Sequence, residues 1–455
     1  MATPFIPVDR ATPFLLPPSV NDWLPQDHLA RFVVEITDQL DLSQLEASYQ
    51  GRGSRAYHPR MLLGLLFYGY ATGVFSSRRL EEATYDSIAF RYIATNLHPD
   101  HDTIATFRRR FLPSLTSLFV QILTFAHEMG MVKLGKVSLD GTKVKANASK
   151  HTALSWEYAN KLEAQFKEEV GALLRLAEET DNTANEHGLD IPKELVIREN
   201  RLAAITKAKA TIEARAKERF DAENAEYESR QTARKEKSKR TGKKPGGNPP
   251  KPPVPGPRGK DQVNLTDADS RIMPVSGKGF DQTYNAQAGV DMDSMLIVCQ
   301  HVTQAPNDKN QVDPALELLR ALPERLGKVD TVVADNGYYS QKNAETIENQ
   351  GLTPILAMGR QSHNVPLNPY LQKRNPQKNA DTVVGRLKHL LESEEGKALY
   401  ARRKCTVEPV FGIIKHVMGF RQFMLRGLEK VQHEWTLVSI AWNLKRMAKL
   451  RLKSV

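Results

Sequence analysis

Cysteine is nearly absent from this chain: Cys299 and Cys405 are the only two among 455 residues. Two distant thiols provide neither a disulfide framework nor a thiolate zinc site. His98 and His101 in HPDH have tolerable ligand spacing, but without a second pair nearby they read as loop histidines. Long apolar runs are missing as well. No window approaches the ~20 apolar residues of a membrane span. The polar start with Asp9 and Arg10 lacks a secretory leader, so a cytoplasmic location without a membrane partner is expected.

What the chain does have is length and localised charge. With 40% hydrophobic residues over 455 positions, two or three folded domains are expected. The net charge of +11 is unevenly spread. Residues 229–260 hold eleven Lys or Arg against the single acid Glu236, so the remainder is nearly neutral. The pI alone therefore says little about nucleic acid. The tract GKKPGGNPPKPPVPGPRGK cannot form a core and reads as a flexible basic linker with a plausible contact to phosphates.

In chain order, six prolines (Pro4, Pro7, Pro13, Pro17, Pro18 and Pro25) mark residues 1–25 as an extended arm. Leu29, Phe32, Val33, Ile36 and Leu40 recur at helical spacing, and Pro59 suits the first turn of an apolar helix. A helix from about Ser77 to Tyr92 is followed by a break at His98–His101 and a helix capped by Asp102 or Thr103. That helix carries Thr103, Thr106, Arg108, Arg109 and Arg110, and the pair of helices is open to two readings: a helix-turn-helix DNA reader or an ordinary bundle with a basic face. Apolar stripes at Leu162, Phe166, Val170 and Leu173, and at Leu202, Ile205 and Ile212, predict a helical hairpin between about Trp156 and Arg240.

Chemistry gathers at strand ends. Lys136–Thr142 (KVSLDGT) alternates as a half-buried strand closing on Asp140, with Gly141 turning the backbone away. Tyr284–Val290 and Met295–His301 predict a hairpin. Asp313 caps a helix with Pro314 in its first position. Thr331–Ala334 is a buried strand ending on Asp335, Ser340 caps a helix closed by Gly351, and Thr353–Met358 is one more strand. In a sheet of this kind ligands collect at strand ends. Further on, ARRKCTVEPVFGIIKHVMGF places Lys404, Glu408 and Lys415 on one helical face, a carboxylate flanked by cations. Because Pro409 disfavours a helical residue before it, the helix is alternatively expected to start near Thr406. Asp291 and Asp293 read as turn formers, Asp330 begins rather than ends its strand, and Glu392, Glu394 and Glu395 lack flanking motifs.

Together, Asp140, Asp335 and Glu408, with VSLDGTKVKANAS, NLTDADSR, YNAQAGVD, VVADNGYYS and VEPVFGIIKHVMGFRQFMLRG, resemble the DDE transposases of bacterial insertion sequences. The resemblance covers residues from about 20 to 150 and 264 to 450. It implies an α/β RNase H-like catalytic domain, a mixed sheet flanked by helices, over residues 131–154 and 261–455. An all-α DNA-binding domain over 1–130 and a helical insertion with its linker over 155–260 would accompany it. The group's tyrosine, arginine, glutamate, lysine pattern fits Glu408 and Lys415. Tyr400 and Arg403 fit each other but stand one residue too far from Glu408, whereas Lys404 fits Glu408, so both cations are candidates. By resemblance, Asp140, Asp335 and Glu408 would hold Mg²⁺ or Mn²⁺, two ions, for cleavage at transposon ends and strand transfer. Lys415, Lys404, Arg403, Tyr400, Arg108 and Arg109 would touch DNA. The implied partners are terminal inverted repeats and target DNA at the nucleoid, met by a homodimer. A stand-alone nuclease of the same fold and a catalytically inactive, transposase-derived DNA-binding protein are the rival readings.

Overall fold

The computed structural model describes residues 19–49, 56–180, 190–242, 246–275, 277, 279–359 and 382–452. Most of the expected proline arm lies outside them, and Val20–Trp23 form a 3-10 turn capped by Ser19. Contacts divide the chain into two compact units, Met1–Val144 with Asn285–Val455, and Lys145–Tyr284.

Among the described residues, the first unit opens with seven α-helices. In α1 (Leu29–Gln39) Phe32, Val33 and Ile36 are buried as their spacing predicts, as is Leu40 at the C-cap, while Ala30 is buried and Leu29 only partly so. After α2 (Ser43–Ala47), α3 (Pro59–Thr72) has Pro59 in its first turn, is apolar almost all round, and ends at Gly73 with φ +87°. The single helix expected over Ser77–Tyr92 is two, α4 (Ser77–Asp86) and α5 (Ile88–Ile93), because Ser87 is extended. The next helix, α6 (His101–Phe111), starts before the expected caps. Asp100 accepts from Thr103 N at 2.8 Å and Thr103 Oγ1 at 2.7 Å, so the earlier acid takes the role given to Asp102 or Thr103. Following α7 (Leu115–Glu128) comes the strand β1 (Leu134–Lys145).

The second unit holds β2 (Ala153–Ser155), α8 (Trp156–Thr180), α9 (Ile191–Thr241), β3 (Gln262–Asn264) and β4 (Arg271–Val275). The hairpin α8–α9 closes on Phe166, Ile205, Ala208 and Ile212. Strands β2 and β3 pair antiparallel, and β4 pairs with the first half of β5 (Gly279–Asp291). The basic tract is not free along its length: Arg219 donates to Gly256 O at 3.2 Å, Arg258 pairs with Glu223 at 3.1 Å, and Arg234 Nη2 donates to Gly247 O at 3.2 Å. These bonds hold described parts of a segment too poor in apolar residues for a core.

Back in the first unit, the second half of β5 pairs antiparallel with β6 (Ile297–Thr303), as the hairpin reading requires. Next come α10 (Val312–Arg320), β7 (Gly327–Ala334), α11 (Gln341–Asn349) and β8 (Thr353–Leu356). Gln311, not Asp313, sits at the cap of α10, two residues earlier than expected. The sheet runs β5, β1, β7, β8, with β6 beside β5, and β1, β7 and β8 are mutually parallel. It is thus a mixed sheet accompanied by helices. The last helices are α12 (Val383–Glu392), α13 (Glu394–Lys404), α14 (Val407–His416) and α15 (Leu428–Arg451). The break between α13 and α14 at Cys405 and Thr406 removes the shared face expected for Lys404, Glu408 and Lys415. The alternative start near Thr406 is the one observed, with Pro409 in the first turn.

Helix α15 is buried on every side from Glu434 to Leu444, with Val431, Trp435, Leu437, Val438, Ile440, Leu444 and Met447 in the core. It is pinned to the sheet by Trp435 Nε1 donating to Gln287 O at 2.9 Å and by Asn443, which accepts from Ile297 N and donates to Ile297 O, both at 2.8 Å. Its buried Glu434 accepts from Tyr70 Oη at 2.9 Å and from Met424 N and Leu425 N at 3.0 Å. These bonds satisfy a carboxylate that burial raises above its ordinary pKa.

Candidate active site

At the centre of the sheet β1 is covered on both faces: Val137, Ser138 and Leu139 are all buried, where a half-buried strand was expected. The parallel register pairs Leu139 with Ala334. Asp140 and Asp335, the next residue of each chain segment, therefore stand at the same level on neighbouring strands, whose spacing is about 4.8 Å. Strand β1 does not close on Asp140, however; it continues through Gly141 to Lys145. Gly141 answers to crowding, not to a turn, because a Cβ there would collide with Gln287 Nε2 and Asp308 Oδ1.

The third acid comes from the break after α13. Arg403, the buried end of that helix, donates through Nη1 to Asp140 Oδ2 at 3.1 Å and through Nη2 to Glu408 Oε1 at 2.8 Å. Its guanidinium lies 5.8 Å from the Tyr400 ring centre. Lys404, the next residue, is exposed. Lys415 donates to Lys143 O at 2.8 Å, and Lys143 Nζ stands 3.9 Å from Asp308 Oδ1.

Charge is unbalanced here. Burial, with repulsion from Asp335 and Asp308, pushes the Asp140 carboxyl up to about 6, against the opposing pull of Arg403 and the Gly141 N–H. Burial works against the charge of Arg403, but Asp140, Tyr400 and Glu408 around it hold its pKa above the usual value. Lys143 and Lys415 are both lowered by burial, Lys415 further by Lys143. Carboxylate oxygens are the donors that hard divalent cations prefer. Among the described residues no three such groups are gathered into a ready ligand set. A guanidinium bridges Asp140 and Glu408 in that role.

Comparison with known proteins gives two matches: a transposase DDE domain over residues 260–444 and a transposase domain (DUF772) over residues 18–110. Together they take in well over half of the chain. The chain belongs to the DDE transposases. No curated protein and no solved structure matches it. The transposase acts on DNA, and divalent-metal-dependent cleavage is general to its family. No described helix is long and apolar enough to cross a membrane. The matched DDE segment begins after Asp140, so that acid joins the others through the sheet register and its bond from Arg403.

The remaining candidates stand elsewhere. Arg108 of the transposase turns inward, donating to Tyr70 Oη at 3.3 Å and Phe75 O at 3.0 Å, while Arg109 is exposed and bonds Thr106 Oγ1 at 3.1 Å. Neither lies among the acids. Several residues that do were not singled out in the sequence: Lys143, Asn285, Gln287, Asp308 and Tyr338. Asn285 and Gln287 did leave a signal, as alternating polar residues in an apolar strand. Asp308 left none, because its loop has no periodicity to break.

Proposed function

We propose that Asp140, Asp335 and Glu408 are the acids of a phosphodiester-cleaving centre in an RNase H-like domain. What carries this reading is the convergence of three segments: two acids level on adjacent parallel strands, and the third tied to the first through Arg403. The three carboxylates would hold divalent cations, Mg²⁺ or Mn²⁺ and two in number, which activate an attacking oxygen and stabilise a leaving one. Around them, Arg403, Lys415 and Lys143 seat the phosphates, Tyr400 supports Arg403, and Lys404 and Arg109 reach the DNA backbone from outside. Arg108 acts through the fold by holding Tyr70.

In the first reaction a water oxygen bonds to phosphorus as the bond to the 3′ oxygen breaks, leaving a 3′-hydroxyl and a 5′-phosphate. In the second, that 3′ oxygen attacks a target phosphodiester, whose own 3′ oxygen leaves. One bond forms as one breaks, so no protein nucleophile is needed. The substrates are the terminal inverted repeats of the element and target DNA of the nucleoid, with residues 1–130 as the DNA-binding part, 155–260 as an insertion and two copies holding two ends. An assay with paired terminal repeats, Mg²⁺ and a target plasmid tests this. Joined products are expected from the native chain; Asp140→Asn, Asp335→Asn and Glu408→Gln should abolish cutting while DNA binding persists. Cutting without joining would point to a plain nuclease, and binding alone to an inactive derivative. A variant that cuts normally would remove its residue from the set.

A further inference from the structure

Asp308 lies on the loop between β6 and α10, outside the three acids, yet both glycines that follow the strand acids press against it. A Cβ on Gly141 would strike Asp308 Oδ1; one on Gly337 would lie 3.5 Å from Asp308 Oδ2 and 2.9 Å from Asp335 Oδ1. Asp308 and Asp335 thus face one point, and the carboxylate of Asp308 is close enough to Asp140 to repel it.

The side chain is aimed by dedicated partners. Asp308 Oδ1 accepts from Gln287 Nε2 at 2.6 Å and Asn285 Nδ2 at 2.7 Å. Gln287 is itself fixed by the buried Tyr338 hydroxyl, which donates to its Oε1. The loop is tied down by Asn285 Nδ2 donating to Ala305 O at 3.1 Å and Asn343 Nδ2 donating to Lys309 O at 2.7 Å. Among the described residues no hydrogen bond reaches Asp308 Oδ2, so one oxygen is clamped and the other is open. A second, independent feature sits beside it: Asn285 is fully buried, and its Oδ1, which faces Gly141 next to Asp308 Oδ1, has no donor. A buried acceptor without a donor is costly unless something bound supplies a positive charge or a proton there.

We infer that Asp308 is a fourth carboxylate of the metal site, oriented by Asn285 and Gln287, with its Oδ2 directed at a divalent cation shared with Asp335. A ligating carboxylate is ordinarily fixed by such hydrogen bonds on its other side. This inference rests on the proposed three-acid centre, and its test separates the two. Mn²⁺ alone is titrated into the full chain and followed by electron paramagnetic resonance, for the native protein, Asp308→Asn, Asp335→Asn and Asp140→Asn, with a melting curve for each. Asp308→Asn keeps the size and one acceptor of the native side chain; it is expected to melt normally and to bind Mn²⁺ at least about tenfold more weakly. Native affinity in Asp308→Asn, with loss in Asp335→Asn, would overturn the role of Asp308 and leave the three-acid centre standing. Unchanged affinity in all three variants, or no binding by the native chain, would overturn both. Should Asp308→Asn not fold, Fe²⁺ in the native chain with ascorbate and peroxide provides the second measurement. Radical cleavage is expected near Asp308 as well as near Asp140 and Asp335, and cuts at the two strands without one at the loop would refute the inference.

Discussion

Replacing Asp140 by Asn should make the metal-free protein more stable at neutral and alkaline pH, although it removes an acid from the centre of the site. The carboxyl is pushed up from 3.8 to about 6. At ~1.4 kcal/mol per unit, keeping it ionised in the fold costs about 3 kcal/mol relative to the unfolded chain. The sign follows from linkage: a carboxyl raised on folding binds its proton more tightly in the native state. The penalty is therefore absent below pH 4, grows as pH rises toward 6, and is complete above it. Asp140→Asn mimics the protonated form and keeps the bond from Gly141 N, but it gives Arg403 Nη1 a poorer partner. A net gain of about 1–3 kcal/mol at pH 8 remains, or roughly 2–6 °C for a unit of this size. Thermal denaturation at one scan rate, in chelator, at pH 4 and pH 8 measures it. Equal melting of the two proteins at pH 8, or a gain that persists at pH 4, would refute the electrostatic reasoning. Saturating Mg²⁺ should raise the native protein and not the variant.

Three further outcomes follow from packing and charge. Gly141→Ala should abolish strand cleavage, since its methyl would displace Gln287 and Asp308, and the loss is read in the paired-end assay. Glu434→Leu leaves Tyr70 Oη, Met424 N and Leu425 N without their acceptor and should cost about 3 kcal/mol, measured by urea denaturation. Replacing Lys243, Lys244 and Lys251 by Gln should make the dependence of log affinity on log salt shallower by up to ~0.9 per lost phosphate contact; an unchanged slope would show that the tract leaves DNA alone.

Much of the proposed site was legible because strands punctuate themselves. Asp335 follows a run of apolar β-branched residues and precedes Asn-Gly, so both the strand and its end are written in four or five residues. Ser340 and Gly351 bracket α11 in the same local way. What depends on distant packing was not legible. Arg403 and Lys404 are adjacent and chemically alike, and only the two-residue break at Cys405 and Thr406 decides which of them turns to Asp140. Gly141 next to an acid suggests a turn, yet the reason for it is Gln287 on another strand. Arg108 sits in a basic run of three, and nothing local tells that it faces Tyr70.

The tie between Tyr70 and Glu434 joins residues 364 positions apart. As the polypeptide leaves the ribosome, α3 and α7 emerge with apolar faces whose cover, α15, has yet to be translated. Contacts this remote close slowly, because the loop must be ordered before they reward it. Until then those faces invite chaperones or aggregation. A message broken before codon 428 would thus release helices that cannot finish folding, so a truncated copy should be cleared rather than persist as a competitor for the element's ends.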